Sequence, residues 1–269
     1  LIAAVKHDNC KDFMLFYQPK VDKDGTISGS EALIRWKNEK YNIPNVGFVP
    51  PGKFISIAEE VGLIGDIGNW VLLEACRQTK IWHDTHPGFS KLSVSVNVSP
   101  SQLNDEFIHY INYVLEETDL DPGSLELEIT ERESIKDKNA AILNTIRRKD
   151  IKIAIDDFGI DYSSLSRLPV LAIDTIKLDK SYINEIHTDK DYEHLVKSTI
   201  DMVHGFKYSV VAEGVEEKSQ ADKLFNEMCC DKIQGYYFYK PLPPDDFEKE
   251  LRFHGNAKKK GIKKPKPQK

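Results

Sequence analysis

From Lys91 onward the chain repeats one unit, a short strand pattern followed by a helical one. KLSVSVNVS (Lys91–Ser99), SLELEIT (Ser124–Thr130), IKIAIDDFG (Ile151–Gly159), IDTIKLD (Ile173–Asp179), YSVVAEGV (Tyr208–Val215) and DKIQGYYF (Asp231–Phe238) read as strands. Between them lie helical patterns over Asn104–Thr118, with Asn104 as N-cap, Asp137–Asp150, Asp191–Phe206 and Ser219–Met228. A short helix over Tyr162–Val170, ended by Pro169, and a last helix in PPDDFEKELRF complete the series. Parallel strands need long crossovers, usually helical, so this alternation predicts a parallel sheet.

The first quarter reads differently. Phe13–Val21 and Thr26–Trp36 are strand-like and meet at the turn Asp24–Gly25, which leaves no room for a crossover helix. Those two strands should therefore run antiparallel. Helices follow over Pro51–Gly62 and Asp66–Asp84. The sum is an α/β chain of about eight strands, the count at which a parallel sheet closes into a barrel. An open doubly wound sheet is the alternative, but no Gly-rich phosphate loop follows the first strand.

Within this frame Ile151–Gly159 stands out. A buried apolar run leads into adjacent carboxylates, Asp156 and Asp157, and Gly159 permits a sharp exit. Successive strand side chains point to opposite faces, so both acids can converge on one point only if the strand ends there. Two buried acids are costly unless a cation meets them. Polar groups also end the other strands: Glu31 and Arg35, Asn97, Glu128 and Glu131, Lys177 and Asp179, Glu213 and Glu216, then Gln234. Barrel active sites are built from the carboxyl ends of several strands at once. Carboxylate and amide oxygens without His or Cys favour a hard cation, Mg²⁺ or Mn²⁺, over zinc. With that many acids, two ions balance the charge better than one and suit attack of water on a phosphodiester.

Charge and cysteine usage narrow the class. The net charge is −6, yet the segment Arg252–Lys269 holds eight of the 37 Lys and Arg and no acid. The part to Leu251 therefore carries 29 basic against 43 acidic residues, a net of −14. A basic end can touch nucleic acid or anionic lipid; this Pro- and Gly-broken one on an acidic body reads as a disordered, solvated tail over 252–269, following a domain over 1–251. Cys10, Cys76, Cys229 and Cys230 show no metal-type spacing and read as small buried hydrophobes of a reducing compartment rather than as disulfides or a zinc site. The start, LIAAVKHDNCKDF, lacks an initiating Met and suggests a cytoplasmic domain from a longer, in some cases membrane-anchored, parent.

Eight motifs in order carry a resemblance: YQP (Tyr17–Pro19), EALIRW (Glu31–Trp36), SVNVS (Ser95–Ser99), ELEITE (Glu126–Glu131), DDFG (Asp156–Gly159), DTIKLD (Asp174–Asp179), AEGVE (Ala212–Glu216) and QGYYFYKPLP (Gln234–Pro243). Together, from about Phe13 to Leu251, the chain resembles the EAL-domain cyclic di-GMP phosphodiesterases. The resemblance implies a modified TIM (β/α)8 barrel with its first strand antiparallel to the rest. It implies a first metal on Glu31, Asn97, Glu128 and Asp156, and a second on Asp156, Asp157 and Glu213. Lys177 would orient or activate the attacking water, Arg35 would meet a substrate phosphate, and Gln18 and Gln234 would meet guanine or phosphate. Glu131 and Glu216 would steady loops. The implied reaction is hydrolysis of cyclic di-GMP to linear pGpG, in a homodimer with upstream sensor or GGDEF-type domains and no nucleic acid polymer as partner.

Taken singly, each feature has a plainer explanation. Asp156 and Asp157 suit a turn or helix cap, Asn97 a turn before Pro100, Lys177 a strand-end cation, and Glu213 with Glu216 a helix N-terminus. His194 and His204 share a helix without partner ligands and read as structural. The loop after DDFG has Asp161 where the family carries a second glycine, and in the family that loop couples the metal site to dimerisation. Two other functions compete with catalysis: a receptor that holds cyclic di-GMP uncleaved, and a dimerising regulatory module.

Overall fold

The computed structural model describes residues 1–7, 10–38, 47–131, 137–159, 168 and 172–260. Eight strands close into one barrel in chain order. They are β1 (Phe13–Asp22), β2 (Ile27–Trp36), β3 (Ser93–Asn97), β4 (Leu125–Thr130), β5 (Lys152–Phe158), β6 (Thr175–Leu178), β7 (Ser209–Ala212) and β8 (Lys232–Ile233). β1 pairs antiparallel with both β2 and β8, and all other neighbours are parallel. The short Asp24–Gly25 turn produces this inversion: Asp24 Oδ1 accepts the Thr26 N–H at 3.0 Å and Gly25 sits at φ +73°. The protein is thus a modified TIM barrel with its first strand reversed.

The described helices are α1 (Pro51–Glu60), α2 (Ile64–Thr85), α3 (Asp105–Thr118), α4 (Asp137–Arg147), α5 (Lys180–Glu185), α6 (Lys190–Gly205), α7 (Lys218–Asn226) and α8 (Pro244–Lys260). Asn104 caps α3, its Oδ1 accepting the Phe107 N–H at 2.9 Å. The expected domain end at Leu251 falls inside α8, which continues to Lys260. Arg252 on Glu248 and Lys249 on Asp246 hold this helix through side chains one turn apart. Apart from Leu168, the expected Tyr162–Val170 helix lies outside the described residues, as do Asp161 and the chain beyond Lys260.

Strand alternation sorts the side chains into an apolar outside and a polar inside. On β3, Val94 and Val96 join the apolar core while Ser95 belongs to a polar cluster. On β4, Leu125, Leu127 and Ile129 join the core while Glu126 and Glu128 meet lysines. On β6, Ile176 and Leu178 alternate with Thr175 and Lys177. Behind the reversed hairpin, Tyr17 meets Trp82 edge to face with centroids 4.7 Å apart, and Trp82 stacks on Phe247 at 4.5 Å. This aromatic contact seals α8 and α2 onto β1, at about 0.5–1.5 kcal/mol per ring pair beyond area burial. Three of the cysteines are buried, while Cys229, at φ +60°, is exposed.

Candidate active site

Inside the barrel two lysines meet five carboxylates in two tiers. In the lower tier Lys20, fully buried, donates to Ser95 Oγ at 2.6 Å, Glu126 Oε1 at 2.9 Å and Glu128 Oε1 at 2.8 Å. Glu126 also accepts from Ser95 at 2.6 Å and Thr175 at 2.8 Å. Burial works to raise the Glu126 pKa, but Lys20 and the two hydroxyls outweigh it and hold the carboxyl well below the ordinary range. Burial likewise opposes the Lys20 charge, yet Glu126 and Glu128 more than offset it and the ammonium is raised.

In the upper tier the Lys177 ammonium lies 2.6 Å from Glu128 Oε2, 2.7 Å from Glu213 Oε1, 3.0 Å from Asp156 Oδ1 and 3.6 Å from Glu31 Oε2. Burial opposes its charge, but these acids raise its pKa well above the usual Lys value, so it stays charged. Asn97 Nδ2 donates to Glu31 Oε1 at 2.8 Å, and Gln234 Nε2 donates to Glu31 Oε2 at 2.6 Å and to Gln18 Oε1 at 3.2 Å. Burial and then Lys177 act on Glu31 in opposite senses; with Lys20 and Gln234 added, its pKa is lowered. Glu213 goes the other way: burial, with Asp156, Glu31 and Glu128 adding repulsion against Lys177, pushes it up to about 8.

Asp156 and Asp157 share a stretch that the alternation rule does not cover. β5 does not end at these acids; it continues to Phe158, and its pairing with β6 slips between Ile155 and Phe158. Asp157 takes a left-handed φ of +55° and its N–H donates to Asp156 Oδ1 at 3.0 Å. This bulge, not a strand end, lets Asp156 face the cavity while Asp157 lies exposed. Partial desolvation by the surrounding chain and then the neighbouring Asp156 raise the Asp157 pKa. Just past the bulge, Glu131 Oε2 accepts the Gly159 N–H at 3.1 Å, a contact between the ends of β4 and β5.

A cavity of about 320 Å³ opens over this tier, bounded by Gln18, Glu31, Asp156, Lys177, Glu213 and Gln234 among others. Gln234 Oε1 is buried with no partner among the described residues. Gln234 is placed by Gly235, where a Cβ would come within 2.1 Å of the Val215 carbonyl oxygen. Other expected residues stand apart. Arg35 folds over the Phe16 ring at 5.3 Å and donates to its neighbour Ile34 O at 2.9 Å, bordering a separate apolar groove of about 350 Å³. Glu216 lines the cavity with its side chain exposed; Gln220 Oε1 holds its turn by accepting the Glu216 and Glu217 N–H groups at 2.9 and 3.0 Å. Asp179 caps α5, accepting the Ser181 N–H at 2.8 Å. His204 pairs with Asp231 at 2.8 Å, away from the cavity.

Lys20 and Glu126 were not among the residues expected from sequence. Spacing contained the signal: Lys20 is two residues past Gln18 and Glu126 two before Glu128, so each shares its neighbour's face. Among the described residues no group of three or more Asp, Glu, His or Cys side chains is already arranged as a metal cage. The donor chemistry still fits a hard divalent cation. Around the cavity Glu31, Glu128, Asp156 and Glu213 outnumber Lys177, and the ligating atoms are oxygens.

Comparison with known proteins agrees with this geometry. The EAL domain family model matches residues 4–241. The Bacillus subtilis signaling protein YkoW is 41% identical over 249 residues, covering 91% of this chain and 30% of that protein. The Escherichia coli cyclic di-GMP phosphodiesterase PdeR is 35% identical over 239 residues, covering 88% of this chain and 35% of the relative. The structure titled PaMucR phosphodiesterase, c-di-GMP complex, superimposes with a TM-score of 0.82 at 34% identity, covering 91% of this chain and 97% of that one. The chain thus spans about a third of the length of these two curated relatives. A family-model match over nearly the whole chain and a shared reversed-strand barrel lead to one assignment: the protein belongs to the EAL domain family.

Proposed function

We propose that this domain hydrolyses cyclic di-GMP to linear pGpG with the help of divalent cations, Mg²⁺ or Mn²⁺. The observation that carries the reading is the convergence of Glu31, Glu128, Asp156 and Glu213 on one buried ammonium at the carboxyl mouth of the barrel. Relatives named for this activity and a neighbour titled as a c-di-GMP complex support it.

Glu31, Asn97, Glu128 and Asp156 would hold one cation, and Asp156, Asp157 and Glu213 a second. A bound divalent ion supplies charge neutralisation and a more acidic water. The chain's own groups do the rest. Lys177 stays protonated beside the cavity and stabilises charge that develops on the phosphate oxygens. Glu213, 2.7 Å from the Lys177 ammonium, would keep that group aimed at the cavity. Gln234 Oε1 and the Gln18 amide offer hydrogen bonds to a guanine edge, and Arg35 provides a guanidinium for a phosphate. In the step itself the water oxygen bonds to phosphorus, the P–O3′ bond breaks, and a proton passes to the departing 3′ oxygen.

The test is incubation with cyclic di-GMP and either cation, followed by chromatography for pGpG, with Asp156→Asn as the inactive control. Binding without turnover by the unaltered protein would overturn hydrolysis in favour of a receptor. The longer relatives, among them one named a bifunctional diguanylate cyclase/cyclic di-GMP phosphodiesterase, support a neighbouring cyclase-type domain in the parent chain. Among the described residues no helix is long and apolar enough to cross a membrane.

A further inference from the structure

Glu128 is the one carboxylate shared by both tiers. Its Oε2 accepts from Lys177 at 2.6 Å and its Oε1 from Lys20 at 2.8 Å, so each oxygen is fixed by a separate ammonium. Lys20 is itself fixed. An ammonium has three protons, and here they go to Ser95, Glu126 and Glu128, acceptors on β3 and β4. Glu126 is fixed in turn by Ser95 and by Thr175 on β6. A rigid chain of bonds therefore runs from three strands through Lys20 to the back of Glu128, below the cavity and out of reach of a ligand.

We propose that Lys20 is a positioning residue: by holding Oε1 of Glu128 it fixes the angle at which that carboxylate faces Lys177 and a bound divalent cation. Glu126 does not need Lys20 for hydrogen bonding, since Ser95 and Thr175 satisfy one oxygen each. Among the described residues Glu128 has no hydrogen-bond donor besides Lys20 and Lys177, so loss of Lys20 frees the carboxylate to rotate about its last torsion. The effect on turnover rests on the phosphodiesterase reading above; the effect on cation affinity does not.

The experiment compares the unaltered domain with Lys20→Met/Glu126→Gln, which removes one positive and one negative charge together, and with Glu126→Gln alone, which leaves the Lys20–Glu128 bond in place. Calorimetric titration with Mn²⁺ alone and steady-state hydrolysis of cyclic di-GMP are both measured, after thermal unfolding has shown which variants are folded. The double variant should bind Mn²⁺ about 10- to 100-fold more weakly, the range found when a group orienting a metal ligand is lost. Its kcat should fall while KM for cyclic di-GMP holds, and Glu126→Gln should stay near the unaltered protein in both. Unaltered Mn²⁺ affinity in a folded double variant would overturn the proposal, and so would an equal loss in Glu126→Gln, which would make the role structural. If the double variant does not fold, Lys20→Gln, whose amide ends one atom short of the ammonium position, is read by the same titration. An unaltered domain that binds Mn²⁺ but cleaves nothing would overturn the phosphodiesterase reading and leave the Mn²⁺ comparison to decide the role of Lys20.

Discussion

Lys177 illustrates how much one side chain can decide. Among the described residues its ammonium is the only cation paired with Glu213 and Asp156, and it is fully buried. Removing one partner from a buried ionic cluster leaves uncompensated charge and typically costs about 3–5 kcal/mol. Lys177→Met should lower the urea-unfolding free energy by that order in metal-free buffer and abolish turnover. Supplying Mn²⁺ should recover much of the stability but none of the activity, because a cation can neutralise the acids without restoring the proton-bearing group. Stability that stays unchanged in the metal-free variant would refute the charge-balance argument. Legibility at this scale was uneven. Glu31, Asn97, Glu128, Asp156, Lys177, Glu213 and Gln234 could be named from strand-end position, and the structure gathers them. Lys20 could not be named so easily, because it sits mid-strand beside Pro19, where a lysine reads as an ordinary solvated charge.

Elements place these groups, and their register matters more than their length. β8 spans only Lys232–Ile233, against the longer strand expected over Asp231–Phe238. The remainder folds back against Val215 in a turn, with the Tyr237 N–H donating to Val215 O at 2.9 Å and the Val215 N–H to Gln234 O at 3.4 Å. That approach needs Gly235, since a Cβ there would sit 2.1 Å from a backbone oxygen. Gly235→Ala should therefore move Gln234 off Glu31, weakening cyclic di-GMP binding more than it slows bound substrate. A thermal shift of several degrees downward with raised KM is the expected outcome; an unchanged KM would show that the turn yields without moving Gln234. The same distinction explains what sequence could and could not show. Alternation of Val and Leu with Ser and Glu exposed the inner faces of β3 and β4, and the short turn at Asp24–Gly25 exposed the reversed hairpin. The β5 bulge was hidden because its cause, a left-handed Asp157, leaves no mark on residue type. The continuation of α8 was hidden because its Lys-rich end looks like a tail, although its i,i+4 pairing favours helix.

At the scale of the molecule, a closed barrel with an acidic interior makes folding and proton uptake one problem. Most barrels fill this space with branched apolar side chains; here it holds Lys20, Lys177 and their carboxylates, and the surroundings favour the ionised forms of Lys20, Lys177, Glu31 and Glu126. Glu126 sets the sign. Burial alone would raise its pKa, but Lys20, Ser95 and Thr175 leave the folded-state value depressed. The unfolded chain, with an ordinary Glu pKa of about 4.3, therefore takes up this proton first as pH falls. Its contribution to stability is fully present above that value and is lost as pH drops through it toward the folded-state pKa, with a slope of at most about 1.4 kcal/mol per pH unit for one group. Urea unfolding followed from pH 6 to pH 3 should show that loss, and Glu126→Gln, which cannot titrate, should flatten the acid limb while lowering stability at pH 6. A variant whose acid limb keeps the full slope would assign the acid sensitivity elsewhere than to Glu126. Surface and interior carboxylates also differ in salt response. Exposed pairs are screened within about 10 Å at 0.1 M salt whereas a buried tier is not, so an acid limb that survives added salt belongs to Glu126 and its lysine.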